Sequence, residues 1–145
     1  MALDDLDELY RDSILEHSRN PRHREQIEDP DLTAVRANRF CGDEVHLQIA
    51  LDDSGRIVRI GLQGVGCAIT QASGSMMADA LRGKTLGEAD ELSEAFRGMM
   101  QGRDNPVESP LDALAGVRQV PIRIKCALLS WSTLDDGIKK HRKRK

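Results

Sequence analysis

Residues 41–67 read CGDEVHLQIALDDSGRIVRIGLQGVGC and contain two apolar runs separated by a turn. Apolar side chains occupy every second position from Val45 to Leu51 and again from Val58 to Leu62, which is the period of a strand with one buried face. Between the runs, residues 52–55 are Asp-Asp-Ser-Gly, and these residue types favour a turn. The stretch therefore predicts an antiparallel hairpin.

A cysteine lies at each end of this hairpin. Because antiparallel pairing places the start of the first strand beside the end of the second, we expect Cys41 and Cys67 to lie at the same edge of the sheet. The third cysteine of the chain, Cys126, precedes an apolar pattern of helical period near the C-terminus. Each cysteine has a glycine or a basic residue close by, which suggests a site rather than plain core packing.

The segments before the hairpin predict one helix and a long connection. Apolar residues at helical spacing predict an N-terminal helix over residues 3–17. Residues 22–39 are polar and without a sustained period, so we expect an extended connection over the surface. Part of Arg36 to Cys41 is the candidate for a third strand.

Three helices and an inserted segment are predicted after the hairpin. The first ends near Gly83, and Thr85 with Glu88 forms a capping box that starts the second. An insertion at about residues 101–118 contains a short helix that starts after Ser109 and reaches about Ala115, and Pro121 starts the last helix. The residues expected to point inward are, for the first helix, Ala72, Met76, Met77, Ala80 and Leu81; for the second, Ala89, Leu92, Phe96, Met99 and Met100; and for the last, Ile124, Leu128, Trp131 and Ile138.

These elements predict an α+β fold. We expect a single domain over residues 1–145, in which a small antiparallel sheet of about three strands packs against helices. If the three cysteines form a metal site, it should lie at one exposed end of the fold, where the strand ends and the last helix converge.

Composition excludes several classes of protein. The chain has 145 residues, 31% of them charged, and a formal net charge of -3. No segment approaches the roughly 20 apolar residues that span a bilayer, and the acidic N-terminus is unlike a signal peptide, so we expect a cytoplasmic protein without membrane contact. The mild acidity argues against nucleic acid as the main partner, and the basic tail at residues 141–145 fits a solvated helix end.

Three cysteines in a reducing compartment favour metal, redox or nucleophilic chemistry over a disulfide framework. Zinc takes four ligands from thiolate, imidazole and carboxylate groups, and Asp43 would complete a set with Cys41, Cys67 and Cys126. At about 100° per residue, Cys126 lies about 200° from Ile124 and so off the apolar stripe of its helix. The spacing is not that of a paired C-x-x-C ribbon, so buried structural thiols remain an alternative. His23 and His46 are further possible ligands, and a solvated side chain is the expectation for both.

Three motifs carry a resemblance to a known family. They are Cys41-Gly42-Asp43, the run from Gly64 to Ser73 (GVGCAITQAS), and Arg123-Ile124-Lys125-Cys126-Ala127. Together they resemble the U-type iron–sulfur cluster assembly proteins, the family of IscU and the NifU N-terminal domain, over nearly the whole chain. Within it the sequence is more similar to the SufU branch, because Lys125 replaces the histidine that IscU-type proteins carry before the third cysteine. Val120-Pro121-Ile122-Arg123 stands where IscU has its chaperone-recognition motif, and residues 101–118 resemble the SufU insertion.

The resemblance implies a zinc site formed by Cys41, Asp43, Cys67 and Cys126. It further implies that Cys41 accepts sulfur from a pyridoxal-phosphate-dependent cysteine desulfurase of the SufS type and passes it toward downstream iron–sulfur assembly proteins. Arg123 and Lys125 are expected to supply positive charge near the thiolates, although a solvated first helical turn explains them equally well.

Two other functions remain open at this point. The same ligands suit a scaffold on which a transient [2Fe–2S] cluster is assembled and handed on. Alternatively, zinc is a folding staple on an interaction domain without sulfur chemistry.

Overall fold

The protein is an α+β fold in which helices cover one face of a three-stranded antiparallel sheet, as the sequence predicts. The computed structural model describes residues 8–20, 23–38, 42–103, 107 and 111–143. The elements, in chain order, are α1 (Glu8–Arg19), β1 (Leu32–Asn38), β2 (Asp43–Leu51), β3 (Ile57–Val65), α2 (Ala68–Leu81), α3 (Leu86–Met100), a 3₁₀ helix (Leu111–Gln119) and α4 (Pro121–Lys143).

The hairpin forms as predicted. The strand order is β1-β2-β3, and the pairing of Glu44 with Val65 brings the start of β2 beside the end of β3. In the turn, Asp52 Oδ1 accepts hydrogen bonds from the backbone amides of Ser54 and Arg56, both at 2.9 Å. The turn thereby fixes the strand register in which Asp43 and the segment before Cys67 lie at the same edge of the sheet.

The prediction of β1 was incomplete. The strand begins at Leu32, inside the segment expected to be a connection, and residues 39–41 lie outside the described part of the chain. Leu32 and Ala34 face the core, where Gly137 of α4 leaves room for them. Two inward residues, one of them alanine, make too short an alternation to stand out in the sequence.

The inward face of β3 was predicted one residue out of phase at its start. Ile57 is fully buried, whereas Val58 is 39% exposed. The pairing steps from Ala50–Arg59 to Leu51–Ile57, so Val58 is an extra residue in a β-bulge. Because a bulge inserts one residue into one strand, it reverses the inside–outside alternation beyond it.

Two helices lie next to cysteines of the candidate site: Cys67 directly precedes α2, and Cys126 lies in α4. The two helices are joined by hydrogen bonds in the core. Ser73 Oγ on α2 donates to the carbonyl of Ala127 on α4 at 2.6 Å and accepts from Trp131 Nε1 at 3.2 Å. Trp131 also stacks on Phe96 of α3, with ring centroids 4.6 Å apart. These contacts fix α2, α3 and α4 relative to one another.

The predicted inner face of α4 was too narrow. Trp131 and Ile138 are buried, and Ile124 and Leu128 are partly buried against the core, as predicted. Cys126, expected to lie off this face, is also fully buried among core residues. The reason is that α4 packs against β1, β2, α2, α3 and the 3₁₀ helix, so more than one of its faces is covered. A single-stripe interpretation does not hold for such a helix.

Other helix bounds differ in detail from those expected. The first helix ends at Arg19, and residues 3–7 of the predicted span 3–17 lie outside the described ranges. The short helix predicted to reach about Ala115 is a 3₁₀ helix that extends to Gln119, and Ser109 with Pro110 is not described.

The capping box is present: Thr85 Oγ1 accepts from the Glu88 amide at 3.1 Å, and Glu88 accepts from the Thr85 amide at 2.9 Å. Among the described helices, none has the length and apolar character to span a membrane.

We expect Gly64→Ala to destabilise the protein by about 2 kcal/mol or more. Gly64 has φ +148°, and a Cβ there would lie 1.9 Å from the Glu44 carbonyl oxygen, so β2 and β3 would have to separate. Urea unfolding monitored by circular dichroism measures the effect.

Gly87→Ala is the matched control, because a Cβ at this position of α3 meets nothing closer than 3.9 Å. It should leave the free energy of unfolding unchanged or raise it by up to about 1 kcal/mol through helix propensity. Equal midpoints for the two variants would contradict the close approach at Gly64.

Candidate metal centre

Three of the four predicted ligands converge at the edge of the sheet where β2 begins and β3 ends. One carboxylate oxygen of Asp43 and the Sγ atoms of Cys67 and Cys126 all lie within 4.8 Å of one another. Asp43 is the first residue of β2, Cys67 directly precedes α2, and Cys126 lies in the second turn of α4. The fourth predicted ligand, Cys41, lies outside the described residues.

Burial differs among the three groups. Cys126 is fully buried, Asp43 is 3% exposed and Cys67 is half-buried. Cys67 and Cys126 are not joined in a disulfide. A nearly buried carboxylate beside two thiols needs hydrogen bonds or a cation to offset its desolvation.

Two glycines allow the strand ends to approach this closely. Gly64 crosses the backbone of Glu44, as described above. Gly66 lies against the site itself, because a Cβ there would be 2.8 Å from Thr70 Cγ2 and 3.2 Å from Asp43 Cγ. The glycines of the Gly-Val-Gly-Cys motif therefore act as spacers that let β2, β3 and the start of α2 meet.

Thr70 is a residue of the site that sequence reasoning did not single out. Its hydroxyl donates to Asp43 Oδ2 at 2.6 Å. The hydroxyl oxygen, Thr70 Oγ1, also lies 3.5 Å from Cys67 Sγ. The available signal was its spacing: a hydroxyl residue three positions after Cys67, in the first turn of a helix, lies on the same side as the thiol.

The surroundings of Cys67 stabilise its thiolate. Half-burial raises the pKa of Cys67, but contacts with Thr70, Cys126 and the Ile69 amide outweigh it, so the pKa lies below its ordinary value. The amides contribute because the N-terminus of α2 carries partial positive charge. A thiolate is the form that binds metals and attacks sulfur.

Arg123 and Lys125 have different positions relative to the thiols. Contact with Cys126 and the charge of Cys67 both raise the pKa of Arg123, which places its guanidinium beside the two sulfurs. Lys125 is exposed and lines a groove between β1 and α4 together with Arg36 and Asn38. The Arg123 side chain thus interacts with both thiols.

Neither histidine considered as a ligand belongs to the cluster. His46 is exposed and pairs with Glu44 at 2.9 Å. His23, expected to be solvated, instead contacts Asp79 of α2 at 2.6 Å with only 15% of its side chain exposed.

The three donors suit zinc chemically. With Zn–S bonds of about 2.3 Å and Zn–O bonds of about 2.0 Å, tetrahedral ligand atoms are separated by about 3.8 Å or less. Donor atoms within 4.8 Å of one another need only a small contraction to reach that separation. Two sulfurs and one oxygen also leave one position for a further ligand.

Comparison with known proteins identifies the family. The profile of the NifU-like N terminal domain matches residues 9–145. The chain is similar to the iron-sulfur cluster assembly scaffold protein IscU of Streptococcus pyogenes, with 39% identity over 97% of this chain and 89% of the relative. It is also similar to the zinc-dependent sulfurtransferase SufU of Bacillus subtilis, with 41% identity over 93% of this chain and 92% of the relative.

Solved structures agree. A SUF-system scaffold protein from Fervidobacterium islandicum, described in its own structure report as putative, has a TM-score of 0.82 and 34% identity, with 87% of this chain and 93% of that chain covered. The N-terminal part of a NifU-like protein from Brucella abortus has a TM-score of 0.86 and 26% identity over the full length of both chains. The chain therefore belongs to the family of the NifU-like N-terminal domain, which includes its IscU and SufU relatives, as its motifs predicted.

Proposed function

We propose that this protein binds zinc through Cys41, Asp43, Cys67 and Cys126 and accepts persulfide sulfur for iron–sulfur cluster assembly. The observation that carries the proposal is the convergence of a carboxylate and two cysteine sulfurs within 4.8 Å. Chain connectivity keeps Cys41 two residues from Asp43, within reach of the same centre. The similarity to the relative named a zinc-dependent sulfurtransferase supports zinc as the metal.

Cys41 is the proposed sulfur acceptor. The next residue, Gly42, is exposed, has φ +70° and has open space around it, so the backbone can reorient there at low cost. The Cys41 thiolate attacks the outer sulfur of a cysteine persulfide on the donor protein. The donor S–S bond breaks, the donor cysteine leaves as a thiolate, and the outer sulfur remains on Cys41 as a persulfide.

The other residues hold the site. Bound zinc keeps its thiol ligands deprotonated at neutral pH and contributes folding free energy. Cys126, buried in α4, and Cys67, at the start of α2, anchor the centre. Asp43 provides an oxygen donor that exchanges more easily than a thiolate, and Arg123 favours the thiolate form of the two anchoring cysteines.

The partner in this proposal is a pyridoxal-phosphate-dependent cysteine desulfurase of the SufS type, acting in the reducing cytoplasm where free thiols persist. Two exposed apolar side chains support docking at this end of the molecule. Val65, two residues before Cys67, is 62% exposed, and Ile122, four residues before Cys126, is 71% exposed. Both side chains are close in sequence to a cysteine of the site, and the proposal assigns them to contact with the partner.

Addition of the zinc-loaded protein should raise cysteine desulfurase turnover at least tenfold, whereas Cys41→Ala at matched zinc content should give no stimulation. The reason is that the variant lacks the thiolate that removes the persulfide. Alanine production in the presence of a reductant measures turnover. Ser54→Ala, a substitution in the distant hairpin turn, is the control for general effects. Full stimulation by Cys41→Ala would refute the acceptor role.

A scaffold for a [2Fe–2S] cluster is the second candidate. Two thiols with a carboxylate also suit iron, and the relative from Streptococcus pyogenes is named a scaffold protein. Of the described ligands only Cys67 is partly exposed, so a cluster would be transferred from its side of the site.

Anaerobic reconstitution with iron and sulfide distinguishes the two functions. If the protein is a sulfur acceptor rather than a scaffold, we expect iron without stoichiometric sulfide and no transfer to an apo-ferredoxin. A cluster with equal iron and sulfide that passes to the ferredoxin within minutes would favour the scaffold. Absorption spectroscopy and sulfide determination provide the readouts.

A further inference from the structure

We propose that Thr70 is a positioning residue that assigns the two oxygens of Asp43 different roles: Oδ2 accepts the Thr70 hydroxyl, and the other oxygen is presented to the metal. The inference rests on the proposed metal site and adds to it a residue that controls how firmly the carboxylate is held. Thr70 belongs to α2 and Asp43 to β2, so the hydrogen bond joins two elements at the site.

The short distance shows which acceptor takes the Thr70 proton. A hydroxyl has one hydrogen and can donate it to only one partner at a time. Asp43 Oδ2 lies 2.6 Å away, the length of a strong O–H···O⁻ bond, whereas Cys67 Sγ lies at 3.5 Å. The carboxylate is therefore the preferred acceptor, and the sulfur remains available to a metal.

The Thr70 hydroxyl bonds outside its own helix. In the first turn of α2 no preceding helical turn offers it a carbonyl, and it reaches a carboxylate on another element instead. Its methyl group occupies the space that Gly66 leaves, since a Cβ at Gly66 would be 2.8 Å from Thr70 Cγ2. Packing of the methyl against Gly66 fixes the rotamer that aims the hydroxyl at Asp43.

Burial makes this hydrogen bond consequential. Thr70 and Asp43 are each 3% exposed, so water does not replace the hydroxyl without rearrangement. A carboxylate with one oxygen engaged binds a metal through the other and is restrained from rotating. Partners that hydrogen-bond to a ligand in this way typically change metal affinity by about tenfold to 100-fold when removed.

The test compares Thr70→Val, which keeps the shape and removes the hydroxyl, with Thr70→Ser, which keeps the hydroxyl. We expect zinc release to a chromophoric chelator to be about ten to 100 times faster for Thr70→Val. Thr70→Ser should remain within about threefold of wild type. Thermal unfolding of the zinc-loaded proteins checks that each variant is folded.

Cobalt substitution gives a readout that a purely structural role would not change. The visible ligand-field bands of the Co(II) protein should shift or change intensity in Thr70→Val and be retained in Thr70→Ser. In addition, Thr70→Val should have no further effect on zinc release in an Asp43→Ala background, because Thr70 acts through that carboxylate. If Thr70→Val does not fold, Thr70→Ala and the comparison of Thr70→Ser with wild type take its place.

The outcomes separate this inference from the proposed function. The role of Thr70 would be overturned, and the zinc site left intact, if Thr70→Val released zinc at the wild-type rate and gave the wild-type cobalt spectrum. It would also be overturned if Thr70→Val had the same effect with and without Asp43. A wild-type protein that binds neither zinc nor cobalt would overturn both proposals.

Discussion

The crossing of β2 and β3 at Gly64 is the contact on which the candidate site depends. Without a side chain at Gly64, the end of β3 comes against the Glu44 carbonyl, and Asp43 then lies beside the segment that leads to Cys67. Gly66 extends the same close approach to the start of α2. A larger side chain at either position would separate the donors, whatever the rest of the chain did.

The second constraint is the bridge through Ser73. Because Ser73 bonds to both the Ala127 carbonyl and the Trp131 indole, α2 and α4 cannot slide independently. Cys67 precedes one of these helices and Cys126 lies on the other. A polar contact within the apolar core thereby helps to set the distance between the two sulfur atoms of the candidate site.

Much of this arrangement was predictable from the sequence, and the exceptions have physical causes. The hairpin, the capping box at Thr85 and the gathering of Asp43 with Cys67 follow from period, turn chemistry and topology. The early start of β1 and the outward Val58 did not, because pairing register and a bulge depend on partner strands. The burial of Cys126 was missed because a helix covered on several sides has no single apolar stripe, and Thr70 was missed because its partner is 27 residues away.

Because the two described thiols differ in burial, they are also expected to differ in their sensitivity to oxidants. Oxidation by peroxide requires a thiolate that the oxidant can reach, and Cys67 combines a lowered pKa with partial exposure. Cys126, in the second turn of α4, has no exposed surface. We therefore expect sulfenic acid to form at Cys67 before it forms at Cys126, so that, of these two described donors, the more deeply buried one is retained longer under oxidative stress.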